Sequence, residues 1–346
     1  MVATILSIAL TKRTRRFIKP KTTGATVVRR TGPLMPELRV GPLTLEARSG
    51  ANLLDTLLAA GLPVAWSCRA GQCQTCLVQA RPGQASPAST APLTAHQQQA
   101  GWLLSCQCQV IQDMDIHLHD PASDGMGAQL VYKENISPTL LIIRVKPDRP
   151  LRYLPGQHMV LWLHAQLGRP YSIASLPTDP YLEFHLRLHS EGAFSAEIVK
   201  LVVGDRLALG APGGHLSYDM EWQDRPLLLL AGGTGLAPLQ AIAREALRQG
   251  HDAPIDLWHW HSDADDGCYM QARLLQLADE HASFSAHLHK RSTLESDLRQ
   301  LRLASRSTMA LVCGQPGFIE QLRKPLFMAG LPARQVLDEA FISRKA

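Results

Sequence analysis

From Tyr181 to His189, hydrophobic and polar positions alternate strictly. Leu182, Phe184, Leu186 and Leu188 fall on one face, and Glu183, His185, Arg187 and His189 on the other. This is the pattern of a half-buried strand. Pro155-Gly156 and Pro212-Gly213-Gly214 punctuate similar pieces, and residues 128–222 read as all-β. The rhythm changes at Pro226. Leu227 to Ala231 is an apolar run of strand length, followed by Gly232-Gly233-Thr234-Gly235 and a helical pattern to Arg248. Strands are predicted again at Ile255 to His261, Phe284 to His289 and Met309 to Cys313, with helices between them. That alternation predicts a parallel sheet flanked by helices. Upstream, residues 36–120 hold short strand-like pieces and one helical stretch, Leu53 to Ala60. Pro82 to Pro92 reads as a loop, and residues 121–127 as a small, polar linker. The chain therefore divides into an extension over 1–35, domains at 36–120 and 128–222, and a third at 223–346.

Composition sharpens this picture. With 45% hydrophobic and 19% charged residues, the 346-residue chain can bury sizeable cores and is not compositionally disordered. No apolar run approaches the roughly 18 residues of a membrane span. The longest, Val2 to Leu10, lacks the preceding basic region of a signal peptide. The net charge of +5 is unevenly placed. Residues 1–34 carry eight basic groups and no acid, leaving 27 basic against 30 acidic residues in the rest. Such a head reads either as a passive tail, from a start assigned too early, or as an arm for nucleic acid or anionic membrane. A nucleic-acid partner is not the expectation. Five of the seven cysteines crowd into 68–108, while Cys268 and Cys313 stand alone. That is not a secreted disulfide scaffold, so a cytoplasmic, reduced-compartment protein with one cysteine-bound centre is expected.

Cys68, Cys73 and Cys76 are spaced Cys-x4-Cys-x2-Cys, and Cys106 follows after 29 residues. Three thiolates on one tight loop wrap one side of a cluster, and a fourth must close the ligation from elsewhere; this is the plant-type 2Fe–2S spacing. A zinc ribbon would need a second Cys-x2-Cys pair, which is missing. Residues 36–120 resemble a plant-type ferredoxin domain, down to Leu104-Ser105-Cys106-Gln107. The resemblance favours Cys106 over Cys108 as fourth ligand, with Cys108 a strand residue facing away. Many relatives have glycine after the second cysteine, where this chain has Gln74.

Pro155-Gly156-Gln157-His158, then Arg169-Pro170-Tyr171-Ser172, then Gly192-Ala193-Phe194-Ser195 follow in an order that resembles the ferredoxin–NADP reductase superfamily. The resemblance implies an antiparallel barrel holding FAD. Arg169 would meet the pyrophosphate, Tyr171 would stack on the isoalloxazine and Ser172 would sit near N5. Gly192 and Ser195 would open a helix, Ala193 to Lys200, toward an anion. Those roles suit a bidentate guanidinium, an aromatic plane and a small hydroxyl.

Gly232, Gly233, Thr234 and Gly235 form a strand–turn–helix junction that lets a pyrophosphate approach backbone amides. The string is neither Gly-x-Gly-x-x-Gly nor a P-loop. Following the two earlier motifs, it resembles the NAD(P) domain of the same superfamily. There Cys313, with Gly314 and Pro316, would lie near the nicotinamide, and Glu339 with Phe341 would cover the flavin. The resemblance makes Ser172, Cys313 and Glu339 the candidate catalytic residues. Between Asp256 and Gln271 there is no Arg or Lys to meet a 2′-phosphate, and Asp263, Asp265 and Asp266 would repel one, which favours NADH over NADPH. His259-Trp260-His261 read as half-exposed packing rather than as metal ligands.

The full order resembles the reductase components of bacterial multicomponent oxygenases. It implies an α+β ferredoxin-like (β-grasp) 2Fe–2S domain, an antiparallel β-barrel FAD domain and an α/β parallel-sheet NAD(P)-binding domain. It also implies electron flow from NADH through FAD and the cluster to a terminal oxygenase or other acceptor protein, met transiently by a monomer. Other readings are the same chain serving a deoxysugar dehydratase, a non-catalytic redox sensor, or a tethered protein using its basic head.

Overall fold

The computed structural model describes residues 35–342 except Pro82 and Asp266. The basic head lies outside the described residues, which form one compact unit from Met35 onward.

The first sheet comprises β1 (Glu37–Val40), β2 (Leu43–Glu46), β4 (Leu77–Ala80), β5 (Trp102–Leu104) and β7 (Met114–Leu118), in the order β2-β1-β7-β4-β5. β1 and β7 run parallel and the other pairs antiparallel. Two short strands, β3 (Ala51–Asn52) and β6 (Gln109–Val110), pair beside it. Helix α1 (Leu53–Ala59) starts at Asn52, whose side chain accepts the Asp55 N–H, and buries Leu53, Leu54 and Leu57 against the sheet. The stretch read as a loop contains a short helix, α2 (Pro87–Thr90), begun by a proline at its first position. It is followed by α3 (Ala95–Gln99), opened by a Thr94–Gln97 capping box.

Six antiparallel strands follow: β8 (Met126–Ser137), β9 (Leu140–Pro147), β10 (His158–His164), β11 (Leu167–Ser172), β12 (Leu182–Arg187) and β13 (Arg206–Leu209). Their order is β11-β10-β13-β8-β9-β12, and a bridge between Ile173 and Phe184 joins the ends into a barrel. Residues 120–124 form a turn before β8. Helix α4 (Ala193–Ile198) buries Phe194 and Ile198 in the barrel core and ends two residues earlier than the pattern predicts. Trp162 joins the barrel to the first domain. Its ring stacks on His119 at 4.9 Å, and His119 meets Trp102 edge-on at 5.5 Å.

The third sheet is parallel throughout: β14 (Leu227–Gly232), β15 (Ile255–His261), β16 (Phe284–Lys290), β17 (Met309–Gly314) and β18 (Val336–Ala340), in the order β16-β15-β14-β17-β18. Helices α5 (Leu236–Arg248), α6 (Gln271–Glu280), α7 (Leu294–Gln300) and α8 (Pro316–Met328) flank it, because each must bury an apolar stripe against the sheet. Among the described residues no helix is long and apolar enough to cross a membrane.

Two expectations change. Glu183 and His185, on the polar face of β12, are 2% and 3% exposed rather than solvated. Glu183 accepts from Arg144 at 2.7 Å, from Arg273 of α6 at 2.9 Å and from His185 at 3.2 Å. The nucleotide domain covers that face, so polar alternation marks a domain interface here. Likewise His259, Trp260 and His261 are buried, not half-exposed, because β15 lies between β14 and β16 with helices on both faces.

Candidate functional site

The cluster loop runs from Cys68 to Cys76. Its backbone turns through left-handed conformations at Arg69 (φ 54°), Gly71 (φ 78°) and Gln74 (φ 56°). The Gln74 value explains why glycine suits that position in relatives: a side chain there costs about 1–2 kcal/mol. Here the Gln74 side chain is buried, donating to the Pro92 carbonyl at 3.4 Å and accepting from Gln97 at 3.3 Å.

The four predicted ligands come together two by two. Cys73 hydrogen-bonds Cys68, and Cys76 hydrogen-bonds Cys106, with charge interaction linking the pairs. In each pair one thiol is held down by its neighbour's S–H, Cys68 and Cys106, while that same bond and burial push Cys73 and Cys76 up. The Ala70 N–H points at Cys68 Sγ (3.3 Å), Gln107 Nε2 at Cys106 Sγ (3.4 Å), and the Gly71 amide also serves Cys106. A Cβ on Gly71 would strike Gln107. Paired thiols under convergent N–H donors fit a binuclear 2Fe–2S group. Cys106 sits in a tight turn, Ser105–Gln107. Cys108 caps that turn rather than lying in a strand, is fully buried and is directed toward Ser86 and Ser89, away from the other four.

On the barrel, β10 and β11 set Tyr171 opposite Met159 and Ser172 opposite His158. Tyr171 packs 5.4 Å from the Phe194 ring. Arg169 Nη1 donates to the Gly168 carbonyl at 2.7 Å. Ser195 accepts the His189 N–H at 2.9 Å and so ties down the loop that begins at Gly192, the N-cap of a six-residue helix. The sequence carries no signal for His158 beyond its place in Pro155-Gly156-Gln157-His158. Its Nδ1 lies 2.9 Å from Glu339 Oε1 on β18. Burial pulls the His158 pKa down, but the Glu339 hydrogen bond and charge outweigh it, so the net shift is upward. His158 Nε2 and Glu339 Oε2 are buried without partners. Gly213 and Gly214 pass alongside, where a Cβ would press on Gln74 and on His158. Orphaned polar atoms beside Ser172, under a side-chain-free stretch of chain, fit the polar edge of a flavin ring.

At the end of β14, Gly233 takes φ 56° and the turn enters α5. A Cβ on Gly235 would collide with the Cys313 carbonyl, and one on Gly232 or Gly314 would strike Phe318. Only glycine lets this turn lie so close to β17. Cys313 is fully buried beside the turn, opposite Ala231 and Glu339, and burial pushes its thiol up, with Glu339 adding to the effect. The Phe341 N–H donates to the Gly314 carbonyl at 2.8 Å, fixing the strand that carries Glu339. Thr234 lies at the centre of the turn.

This architecture defines a class: an iron–sulfur domain, a flavin barrel and a nucleotide-binding sheet joined in one reductase. Residues 39–110 match the 2Fe-2S iron-sulfur cluster binding domain, 127–218 the oxidoreductase FAD-binding domain and 229–324 the oxidoreductase NAD-binding domain. The chain is 28% identical over 326 residues to the ferredoxin–NAD(P)(+) reductase component of the naphthalene 1,2-dioxygenase/salicylate 5-hydroxylase systems of Ralstonia sp., covering 88% of this chain and 98% of that protein. It is 30% identical over 227 residues to the toluate 1,2-dioxygenase electron transfer component of Pseudomonas putida, covering 62% of this chain and 67% of that protein. The crystal structure of the Amycolatopsis cytochrome P450 reductase GcoB superposes with a TM-score of 0.59 at 25% identity, over 88% of this chain and 98% of that one. The chain belongs to the family of reductase components of bacterial multicomponent oxygenases, and it is an NAD(P)H-dependent flavin and iron–sulfur oxidoreductase.

Proposed function

We propose that this chain takes reducing equivalents from NADH and delivers them singly to a terminal oxygenase, acting as a cytoplasmic monomer with domains at 36–120, 128–222 and 223–346. FAD, when bound, accepts a hydride and releases single electrons, which a 2Fe–2S group can carry. The protein's own part is placement. Cys68, Cys73, Cys76 and Cys106 hold the cluster. Arg169, Tyr171, Ser172, Gly192 and Ser195 hold the flavin, and Gly232 to Gly235 with Cys313, Gly314 and Phe341 hold the dinucleotide. Ser172, Cys313 and Glu339 line the place of hydride transfer.

The observation that carries this reading is the meeting of all three domains around His158. Gln74 of the cluster loop reaches Gly213 of the barrel beside it, and Glu339 of the nucleotide sheet binds its ring. The acceptor would approach on the side of Cys68, where Arg69 and Ala70 are exposed. Small transient interfaces suit such electron transfer.

NADH is favoured by Asp263 and Asp265 after β15. A second reading has its own support: parallel pairing sets Lys290 opposite His261, and Arg291 follows it. The neighbouring strand thus supplies cations that the 256–271 segment lacks, beside an Asp263 already tied to Ser292. Anaerobic NADH titration followed by visible absorbance and low-temperature EPR should show flavin bleaching together with a reduced 2Fe–2S signal. Flavin bleaching without that signal would sink the electron chain, and a lower Michaelis constant for NADPH than for NADH would overturn the nucleotide preference.

A further inference from the structure

His259 lies on β15 directly beneath the glycine turn and is fully buried. Its Nε2 is 3.0 Å from the Gly233 carbonyl oxygen, and its Nδ1 is 3.1 Å from Cys268 Sγ. A carbonyl oxygen can only accept, so Nε2 carries a proton. A neutral ring then leaves Nδ1 bare, and the Cys268 S–H must be the donor to it. Burial lowers the imidazole pKa to about 4, against a smaller upward pull from Gly233, and raises the Cys268 thiol to about 11. Both groups therefore keep these protonation states at neutral pH. The relay has one direction: Cys268 S–H to Nδ1, and Nε2–H to Gly233.

The direction matters because a trans peptide is planar, with its C=O and N–H opposed. A Gly233 carbonyl held inward by His259, and by the Leu236 N–H at the start of α5, turns the Thr234 N–H outward. Left-handed Gly233 is conformationally free, so without an anchor this peptide plane could rotate. The anchor is also tied to the flavin barrel. Tyr269, next to Cys268, presents its ring edge-on to His259 at 6.0 Å, and its hydroxyl lies 2.9 Å from His185 Nδ1 on β12.

We propose that His259 is a positioning residue for dinucleotide binding, holding the Gly233 peptide so that the Thr234 amide faces the pyrophosphate, with Cys268 fixing its tautomer. The proposal rests on reading Gly232 to Gly235 as the dinucleotide turn. It is specific to these side chains and touches no reacting atom.

The test is calorimetric titration of the FAD- and cluster-loaded protein with NAD+ and, separately, NADP+. His259→Leu and Cys268→Ala should each raise the dissociation constant about tenfold, the scale of one lost hydrogen bond. His259→Gln, which keeps an N–H near the Nε2 position, and Cys268→Ser, which keeps a donor, should recover most of that loss. Flavin and cluster absorbance per mole should match the parent protein in all four. Wild-type affinity in both His259→Leu and Cys268→Ala overturns the proposal, as does equal loss in the conservative and disruptive variants. If His259→Leu does not fold, the Cys268 pair decides alone. Gly235→Ala separates the two levels. If it abolishes binding while His259→Leu leaves binding intact, the turn reading stands and the relay falls. If it leaves binding intact, the turn reading falls and takes the relay with it.

Discussion

A methyl group at Gly235 has nowhere to go, because the Cys313 carbonyl and the Gly314 amide fill its place. Both neighbours are backbone, so no rotamer change relieves the clash. Gly235→Ala is expected to push the turn off β17 and destabilise the nucleotide domain by about 1–3 kcal/mol. Thermal unfolding should register that loss, and an unchanged melting temperature would show that the turn is not packed in this way. Sequence reasoning identified Gly235 from the string it sits in, but the reason for glycine is different at each position. Gly233 needs a positive φ, whereas Gly235 needs room. Cys313 reads from the sequence either as a buried small hydrophobe or as a neighbour of the nicotinamide, and the structure buries it completely beside the glycine turn.

At the scale of one element, the cluster loop joins two domains through a residue that departs from the family habit. Gln74 holds a conformation that glycine would adopt without strain, and its amide occupies the space left by the missing side chain of Gly213. A Cβ at Gly213 would lie 2.5 Å from Gln74 Nε2. Gly213→Ala alone should therefore destabilise the protein by about 1–3 kcal/mol, and Gln74→Gly in the same chain should recover most of it. A double-mutant cycle by denaturant unfolding measures this coupling, and strictly additive effects would mean the loop and barrel do not touch there. The cysteine spacing made the loop legible without a structure, since three ligands close in sequence form one turn. The sequence offers no period that pairs residue 74 with residue 213.

Across the whole molecule, the buried charge of Glu183, held within its own barrel by Arg144 and His185, fastens the flavin barrel to the nucleotide domain through Arg273. Burial alone would raise its pKa, but the His185 and Arg144 hydrogen bonds and the Arg273 charge pull it from 4.5 to about 2. A carboxylate whose folded pKa is depressed contributes its full stability above 4.5 and loses it as pH falls toward 2. The shift corresponds to roughly 3 kcal/mol. Glu183→Gln should therefore be less stable than the parent at neutral pH, with the difference closing between pH 4.5 and pH 2. A pH series of denaturation midpoints checks this, and a gap that stays constant would exclude the carboxylate as its cause. The sequence by itself determined the order of a cysteine-rich region, an all-β region and a region of alternating strands and helices, together with the Cys-x4-Cys-x2-Cys spacing. Each of these is written in local spacing and periodicity, where backbone geometry alone fixes which residues are neighbours, whereas Cys106 as the fourth ligand and the two cofactor strings rest on resemblance to a known family. Only the tertiary structure decided that the polar face of β12 is an interface, that His158 and Glu339 meet across 181 residues, and that His259 hydrogen-bonds the Gly233 carbonyl of the glycine turn after β14. A charged or imidazole side chain has the same local pattern whether water or another domain covers it, and the covering surface comes from distant parts of the chain.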